Sequence, residues 1–245
     1  MRTRLAALVV TTAVAATPLV VLAAPAQAAT CTAPEVLGTE VAPHNVVVGT
    51  KNVKGFDVYT DVRTNGCSIS SVKVTVRSPK HTAKNLPMKV DSTVDGVTTY
   101  VYGIDLEAAT LENAEAGKWT AASLTRWSGG SITSTDAFRV FRAAKLTTNA
   151  KPEPVTAGKK LVVTGQLTRA NWQSRKYAGY TKRKVTLQFK PTGGSYASVG
   201  ATTSAKKGAL KKTVTATTDG CYRFVFVGSS TTRKVTSTSD CVDVR

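Results

Sequence analysis

Apolar and polar residues alternate with a period of two along most of this chain, while the three- and four-residue spacing of amphipathic helices is nearly absent. Residues 71–77 read Ser-Val-Lys-Val-Thr-Val-Arg, which puts Val72, Val74 and Val76 on one face of a predicted strand. Asp95-Gly96 separates residues 88–94 from residues 97–104 and predicts a tight hairpin, because that dipeptide tolerates positive φ. Gly129-Gly130 between residues 119–127 and 132–141 predicts a second one. Only residues 106–116, rich in Ala, Leu and Glu, suggest a short helix or helical turn.

Residues 145–154 contain Pro152 and Pro154, which remove backbone donors and favour extended chain, so this stretch reads as a link between two halves. Beyond it, strands are predicted at 160–167, 185–190, 196–201, 210–217, 221–227 and 235–244, with turns at Asp219-Gly220 and Gly228-Ser229-Ser230. About seven short strands in roughly a hundred residues, with no helices between them, point to a β-sandwich. The fold class expected is all-β, with two tandem Ig-like sandwiches at 29–145 and 146–245.

The first residues change the picture of where the chain works. Met1-Arg2-Thr3-Arg4 is a short cationic start, residues 5–22 are apolar, and Ala26-Gln27-Ala28 has the small-x-small form that signal peptidase reads. Residues 1–28 are therefore expected to be a signal peptide cut after Ala28. A membrane anchor is the rival, since about 18 apolar residues begin to span a bilayer, but Thr11, Thr12, Thr17 and Pro18 interrupt the run. Arg2 and Arg4 are not adjacent, and Cys31 follows Thr30 rather than a small residue, so neither a twin-arginine nor a lipoprotein signal is supported. The expected location is secreted or extracellular, with no transmembrane segment in the mature chain.

Charge then separates the halves. Residues 29–145 carry 13 Lys and Arg against 11 Asp and Glu, a net +2, whereas residues 146–245 carry 18 against 4, a net +14. The four cysteines divide likewise, Cys31 and Cys67 in the first half and Cys221 and Cys241 in the second. Three pairings are open; the local one is compatible with halves that fold separately in an oxidising compartment. No Cys-x-x-Cys or nearby Cys/His pair suggests a metal, and His44 and His81 lie among polar loop residues and read as surface residues.

The second half carries a distinctive series: Lys151-Pro-Glu-Pro-Val-Thr-Ala-Gly158, Leu161-Val-Val-Thr-Gly-Gln-Leu-Thr-Arg-Ala-Asn-Trp172, Tyr177-Ala-Gly-Tyr180, Val185-Thr-Leu-Gln-Phe189, Asp219-Gly220 and Gly228-Ser-Ser-Thr-Thr232. It resembles the C-terminal Ig-like module of small secreted actinobacterial proteins. Ala116-Gly117-Lys118-Trp119 and Phe138-Arg-Val-Phe141 extend the resemblance more loosely to the first half. The resemblance implies tandem Ig-like architecture and secretion. Some members carry a calcium-binding label, and no catalytic residue transfers from the family.

Little in the sequence points to chemistry. Gly-x-Ser-x-Gly, His-Glu-x-x-His and phosphate-loop patterns are missing, no catalytic residue is named and no cofactor is expected, so a non-enzymatic role is the reading. The densest run of oxygen ligands is Asp105, Glu107, Glu112 and Glu115, with Asn113 among them, and it is the candidate set if calcium binds. The stronger physical feature is basic: Arg175, Lys176, Lys182, Arg183, Lys184, Lys206, Lys207, Lys211, Lys212, Arg233 and Lys234 lie in or beside predicted turns. Such a field attracts anionic polymers. Trp172, Tyr177 and Tyr180 lie among the first of these bases, where they could stack on a ligand but more simply pack to close one end of the second sandwich. The expected partners are anionic cell-wall or extracellular polymers, without sequence-specific nucleic-acid binding. Alternatives are a calcium-dependent adhesive or structural module, and a partner- or inhibitor-binding protein using its loops.

Overall fold

The computed structural model describes residues Cys31–Arg245; the expected signal segment, 1–28, lies outside the described residues. The first sandwich is built from β1 (Glu35–Ala42), β2 (Asn45–Val48), β3 (Lys54–Arg63), β4 (Ile69–Arg77), β5 (Thr82–Pro87), β6 (Lys89–Val94), β7 (Val97–Leu106), β8 (Gly117–Trp127) and β9 (Gly130–Arg142). One sheet runs β1-β3-β7-β6 and the other β2-β9-β8-β4-β5. All pairs are antiparallel except β2 with β9. With the strands lettered in chain order, this is A-B-E-D facing A′-G-F-C-C′, an Ig-like arrangement.

Alternation accounts for these strands. In β3, Phe56, Val58, Thr60 and Val62 point inward while Asp57, Tyr59 and Asp61 do not. Val72, Val74 and Val76 all lie in the core, on the predicted face. Between the sheets sit Phe56, Trp119 and Phe138, with ring centroids 4.7 Å apart for the phenylalanines and 6.5 Å for Phe56 and Trp119. The hairpin at Asp95-Gly96 joins β6 to β7, and both residues have positive φ, 49° and 75°. The helical signal at 106–116 resolves into one 3₁₀ turn, Asn113–Glu115.

The second sandwich contains β10 (Ala144–Leu146), β11 (Asn149–Lys151), β12 (Lys160–Asn171), β13 (Lys176–Gly179), β14 (Lys184–Pro191), β15 (Ala197–Thr203), β16 (Ala209–Thr215), β17 (Gly220–Phe226), β18 (Val235–Thr236) and β19 (Asp240–Val242). β12 pairs with β10, β11, β13 and β16; the facing sheet runs β15-β14-β17, with β18 and β19 both on β17. Leu161, Val163, Leu167, Leu187, Phe224 and Phe226 fill the space between them. The disulfides are Cys31–Cys67, holding the chain before β1 against the β3–β4 connection, and Cys221–Cys241, which joins directly opposed residues of β17 and β19.

Three expectations need correction. Residues 145–154 are not a free link: half of the stretch lies in β10 and β11, because Leu146 and Ala150 have apolar places in the second core to occupy. The strand expected over 235–244 is interrupted at Ser237. That buried side chain accepts the Phe224 N–H at 2.9 Å, replacing a ladder bond and breaking the run. Finally, Trp172 does not close the second sandwich. Together with Ala170 it belongs to the core of the first, and its indole N–H donates to the Val48 carbonyl at 3.3 Å. Tyr177 packs against the same core, and only Tyr180 packs inside the second. The end of β12 thus reaches across the junction, and residues 31–245 form one compact unit.

Candidate polyanion-binding surface

Of the eleven bases proposed from the sequence, the structure gathers five: Lys182, Arg183, Lys184, Lys206 and Lys207. The element that unites them is Ser204, a buried residue with no signal in the sequence. Its carbonyl accepts the Lys182 N–H at 2.7 Å, its N–H donates to the Arg183 carbonyl at 2.9 Å, and its hydroxyl accepts the Arg183 N–H at 3.0 Å. The same hydroxyl donates to the Tyr180 carbonyl at 2.7 Å. One buried serine therefore fixes the 182–184 turn beside the Lys206–Gly208 turn.

Glycines complete that approach. Gly208 has φ +79°, and a Cβ there would collide with the Leu167 carbonyl; one on Gly179 would collide with the Lys207 backbone. The second turn can thus press onto β12 and β13, which leaves Lys206 and Lys207 facing solvent. Lys182 and Lys207 both take left-handed backbone, φ 58° each, at the tips of their turns. All five side chains are exposed, and among the described residues no carboxylate pairs with them.

The remaining bases lie elsewhere. Arg175 and Lys176 sit on the β12–β13 hairpin, where Arg175 shares a shallow cleft with Glu107 and Lys51 of the first sandwich. Lys211 and Lys212 lie along β16, opposite Thr164 and Val163. Arg233 is half-buried with its guanidinium over the Phe141 ring, and Lys234 beside it is exposed. Two arginines that the sequence did not suggest, Arg169 and Arg142, are also engaged. Arg169 lies over the Tyr180 ring, 4.0 Å from its centroid, with the expected Arg183 at 4.5 Å, and Arg142 is buried with its Nε donating to the Ala170 carbonyl at 2.6 Å.

The acidic set is arranged quite differently. Glu115 is buried, and its carboxylate accepts from the Glu112 N–H at 2.8 Å and from the Ser78 hydroxyl at 2.8 Å, with His81 Nδ1 at 2.9 Å. Burial alone would push its pKa up, but these hydrogen bonds and the nearby imidazole outweigh burial and hold it below its ordinary value of 4.5. Asn113 turns away, with its side-chain carbonyl accepting the Trp172 N–H. Asp105, near the end of β7, and Glu107 and Glu112, in the connection that follows, remain exposed, and among the described residues no three His, Cys, Asp or Glu side chains gather as a metal cage. Glu115 is thus drawn inward by capping its own 3₁₀ turn, while the other three carboxylates stay at the surface. His44 and His81 are both exposed, and each faces a carboxylate, Asp136 and Glu115.

Beside Glu115, the first sandwich opens a groove of about 340 Å³ walled by Val76, Leu86, Tyr102, Ile104 and Trp119, with Asp105 at its rim. It is apolar with acidic edges, opposite in sign to the lysine turns. Among the described residues, no helix is long and apolar enough to cross a membrane.

No protein-family model matches the chain, and no curated protein matches it. Solved structures with similar folds include the extracellular domains 3–5 of Drosophila OTK, with 14% identity, a TM-score of 0.42, and 86% of this chain aligned to 63% of that one. The full Ig1–Ig3 ectodomain of mouse nectin-like molecule 4 aligns at 12% identity and a TM-score of 0.27, over 87% and 64% of the two chains. The Yersinia pseudotuberculosis adhesin InvE aligns at 15% identity and a TM-score of 0.29, over 85% and 58%. This chain spans less than two thirds of each of the three.

Proposed function

We propose that this is a secreted, non-enzymatic β-sandwich protein that associates with anionic polymers of the cell envelope or extracellular space through its basic second sandwich. The observation that carries the reading is the convergence of Lys182, Arg183, Lys184, Lys206 and Lys207 on one exposed surface. Five uncompensated cations within two adjoining turns create a local potential that a scattered +14 would not. Such a surface binds by releasing counterions from a polyanion, so affinity falls steeply as salt rises. Two disulfides fit a protein built for an oxidising compartment.

Binding of the secreted chain to purified cell-wall sacculi, with and without their anionic polymers, tests the proposal. Retention that needs the anionic polymer and is lost with salt is the expected result. Retention on stripped sacculi, or insensitivity to salt, contradicts it.

A further inference from the structure

The loop from Gly228 to Thr232 lies at the junction of the sandwiches and meets arginines from both. From the first, Arg139 Nη1 donates to the Ser230 carbonyl at 3.4 Å, and the main-chain N–H of Arg142 donates to the Thr231 carbonyl at 3.0 Å while its guanidinium turns to the Ala170 carbonyl. From the second, Arg169 Nη1 donates to the Thr232 hydroxyl at 3.4 Å, and the main-chain N–H of Arg233 donates to the Arg142 carbonyl at 3.1 Å while its guanidinium lies over the Phe141 ring. Arg183 joins them through the Tyr180 ring that it shares with Arg169, and the Tyr180 hydroxyl donates to Ser229 Oγ at 3.3 Å.

Buried guanidiniums ordinarily have a carboxylate partner, because an uncompensated charge away from water costs several kcal/mol. Arg142 is only 6% exposed. Yet the ion pairs among the described residues are His44–Asp136, Arg63–Glu35 and His81–Glu115, and none involves these arginines. Burial and the neighbouring Arg169 push the Arg142 pKa down to about 10. Burial would raise the pKa of Tyr180, but its hydroxyl contacts and the two arginines outweigh that and bring it below 10. Both shifts fit a cluster of positive charge that no carboxylate among the described residues answers.

We propose that the arginines around the 228–232 loop form a binding site for a single oxyanion group, a phosphate, sulfate or carboxylate, clasped between the two sandwiches. Arginine suits this task because its planar fork donates two parallel bonds to such groups, and the hydroxyls of Ser229, Thr231 and Thr232 add short donors. The source of the oxyanion, a unit of a bound polymer, rests on the function proposed above. Arg183 is shared with the basic turns; the site uses none of their lysines. Occupancy would neutralise Arg142 and Arg169 and tie β9, β12 and the 228–232 loop together.

Thermal unfolding of the secreted chain tests this, with low-millimolar sodium sulfate or phosphate compared with sodium chloride at matched ionic strength. A saturable rise in Tm of about 2–4 °C beyond that in chloride is expected. Arg169→Gln with Arg183→Gln should abolish the excess, while Lys182→Gln with Lys206→Gln and Lys207→Gln should retain it. Should the arginine pair fail to fold, Arg139→Gln on the exposed rim and calorimetric titration of the unmodified chain with sulfate provide the readout, with one site expected. No excess over chloride, or an excess unchanged in the arginine variants, overturns the proposal. A sulfate shift without sacculus binding upholds the site and removes the polymer as its source; sacculus binding without the shift does the reverse. A poly(glycerol phosphate) chain that acts at lower phosphate concentration than inorganic phosphate identifies the polymer-borne group as the ligand, and equal potency identifies the free anion.

Discussion

The two sandwiches share an architecture and differ in how they handle charge. In the first, 13 bases meet 11 acids, and key acids are absorbed into structure: Glu115 caps a turn, Asp136 accepts the Val41 N–H at 2.9 Å, and Asp61 accepts the Thr99 hydroxyl at 2.7 Å. In the second, 18 bases have 4 acids to answer them, and two of those acids, Asp219 and Asp240, accept backbone N–H groups at 2.7 Å. Its bases therefore face solvent or stack on tyrosine rings. One sandwich uses polar groups to close its loops, and the other leaves an excess of one sign on its surface. Net charge alone does not make a binding surface; turn geometry that brings the charges together does.

The comparison breaks first if both sandwiches bind polyanions alike. Replacing Lys182, Lys184, Lys206 and Lys207 by Glu is expected to weaken sacculus binding by well over tenfold and to flatten its salt dependence by several units of slope, measured by sedimentation. The same change at Lys73, Lys89 and Lys118, exposed on the first sandwich, should alter binding by less than about threefold, since those bases are dispersed among acids.

Stability sharpens it next. Trp172 belongs in sequence to the second half but packs in the first core. Trp172→Ala should cost about 3–5 kcal/mol in chemical denaturation, by the cavity it leaves. If instead it loosens only the second sandwich, as hydrogen exchange would reveal, the packing described here is wrong. Removing either disulfide by paired Cys→Ser substitution should cost about 3–4 kcal/mol, with the Cys31–Cys67 loop, 36 residues apart, slightly the costlier than Cys221–Cys241 at 20.

The smallest effect concerns Glu115. Its pKa is lower folded than unfolded, so its ionised form favours the folded state. That contribution is complete at neutral pH, begins to fade below about pH 4.5, and is gone once pH falls through the folded value. Glu115→Gln should therefore lower stability by about 1–2 kcal/mol at pH 7 and lose that penalty in acid, as denaturation midpoints between pH 3 and 7 would show.

Strand periodicity made most of the fold legible. The valines of β4, the Asp95-Gly96 hairpin, the β8–β9 hairpin and five of the six strands expected in the second half follow from alternation and turn residues, because each of these signals is local. What sequence could not supply was pairing at a distance. Ser204 reads as one more turn serine, yet its contacts with Lys182 and Arg183 decide which bases meet. Trp172 lies in a motif of the second half, and nothing local says that β12 continues into the neighbouring core. The acidic set shows the converse. Its members are close along the chain, and Asp105 and Glu115 border the same groove, but Glu115 is buried in a capping bond of its 3₁₀ turn while Asp105, Glu107 and Glu112 stay exposed. Arg142 and Arg169 carry no local signal, because an isolated arginine in a strand reads as solvent-facing until its neighbours are known.

The most direct test of the central claim is co-sedimentation of residues 29–245 with intact and teichoic-acid-free sacculi, from about 50 to about 200 mM salt, with chelator present throughout. Binding that requires the anionic polymer, survives chelation and falls by orders of magnitude across that range is the predicted result. Binding absent at physiological salt, or unchanged by removal of the polymer, would contradict a basic second sandwich that acts on polyanions.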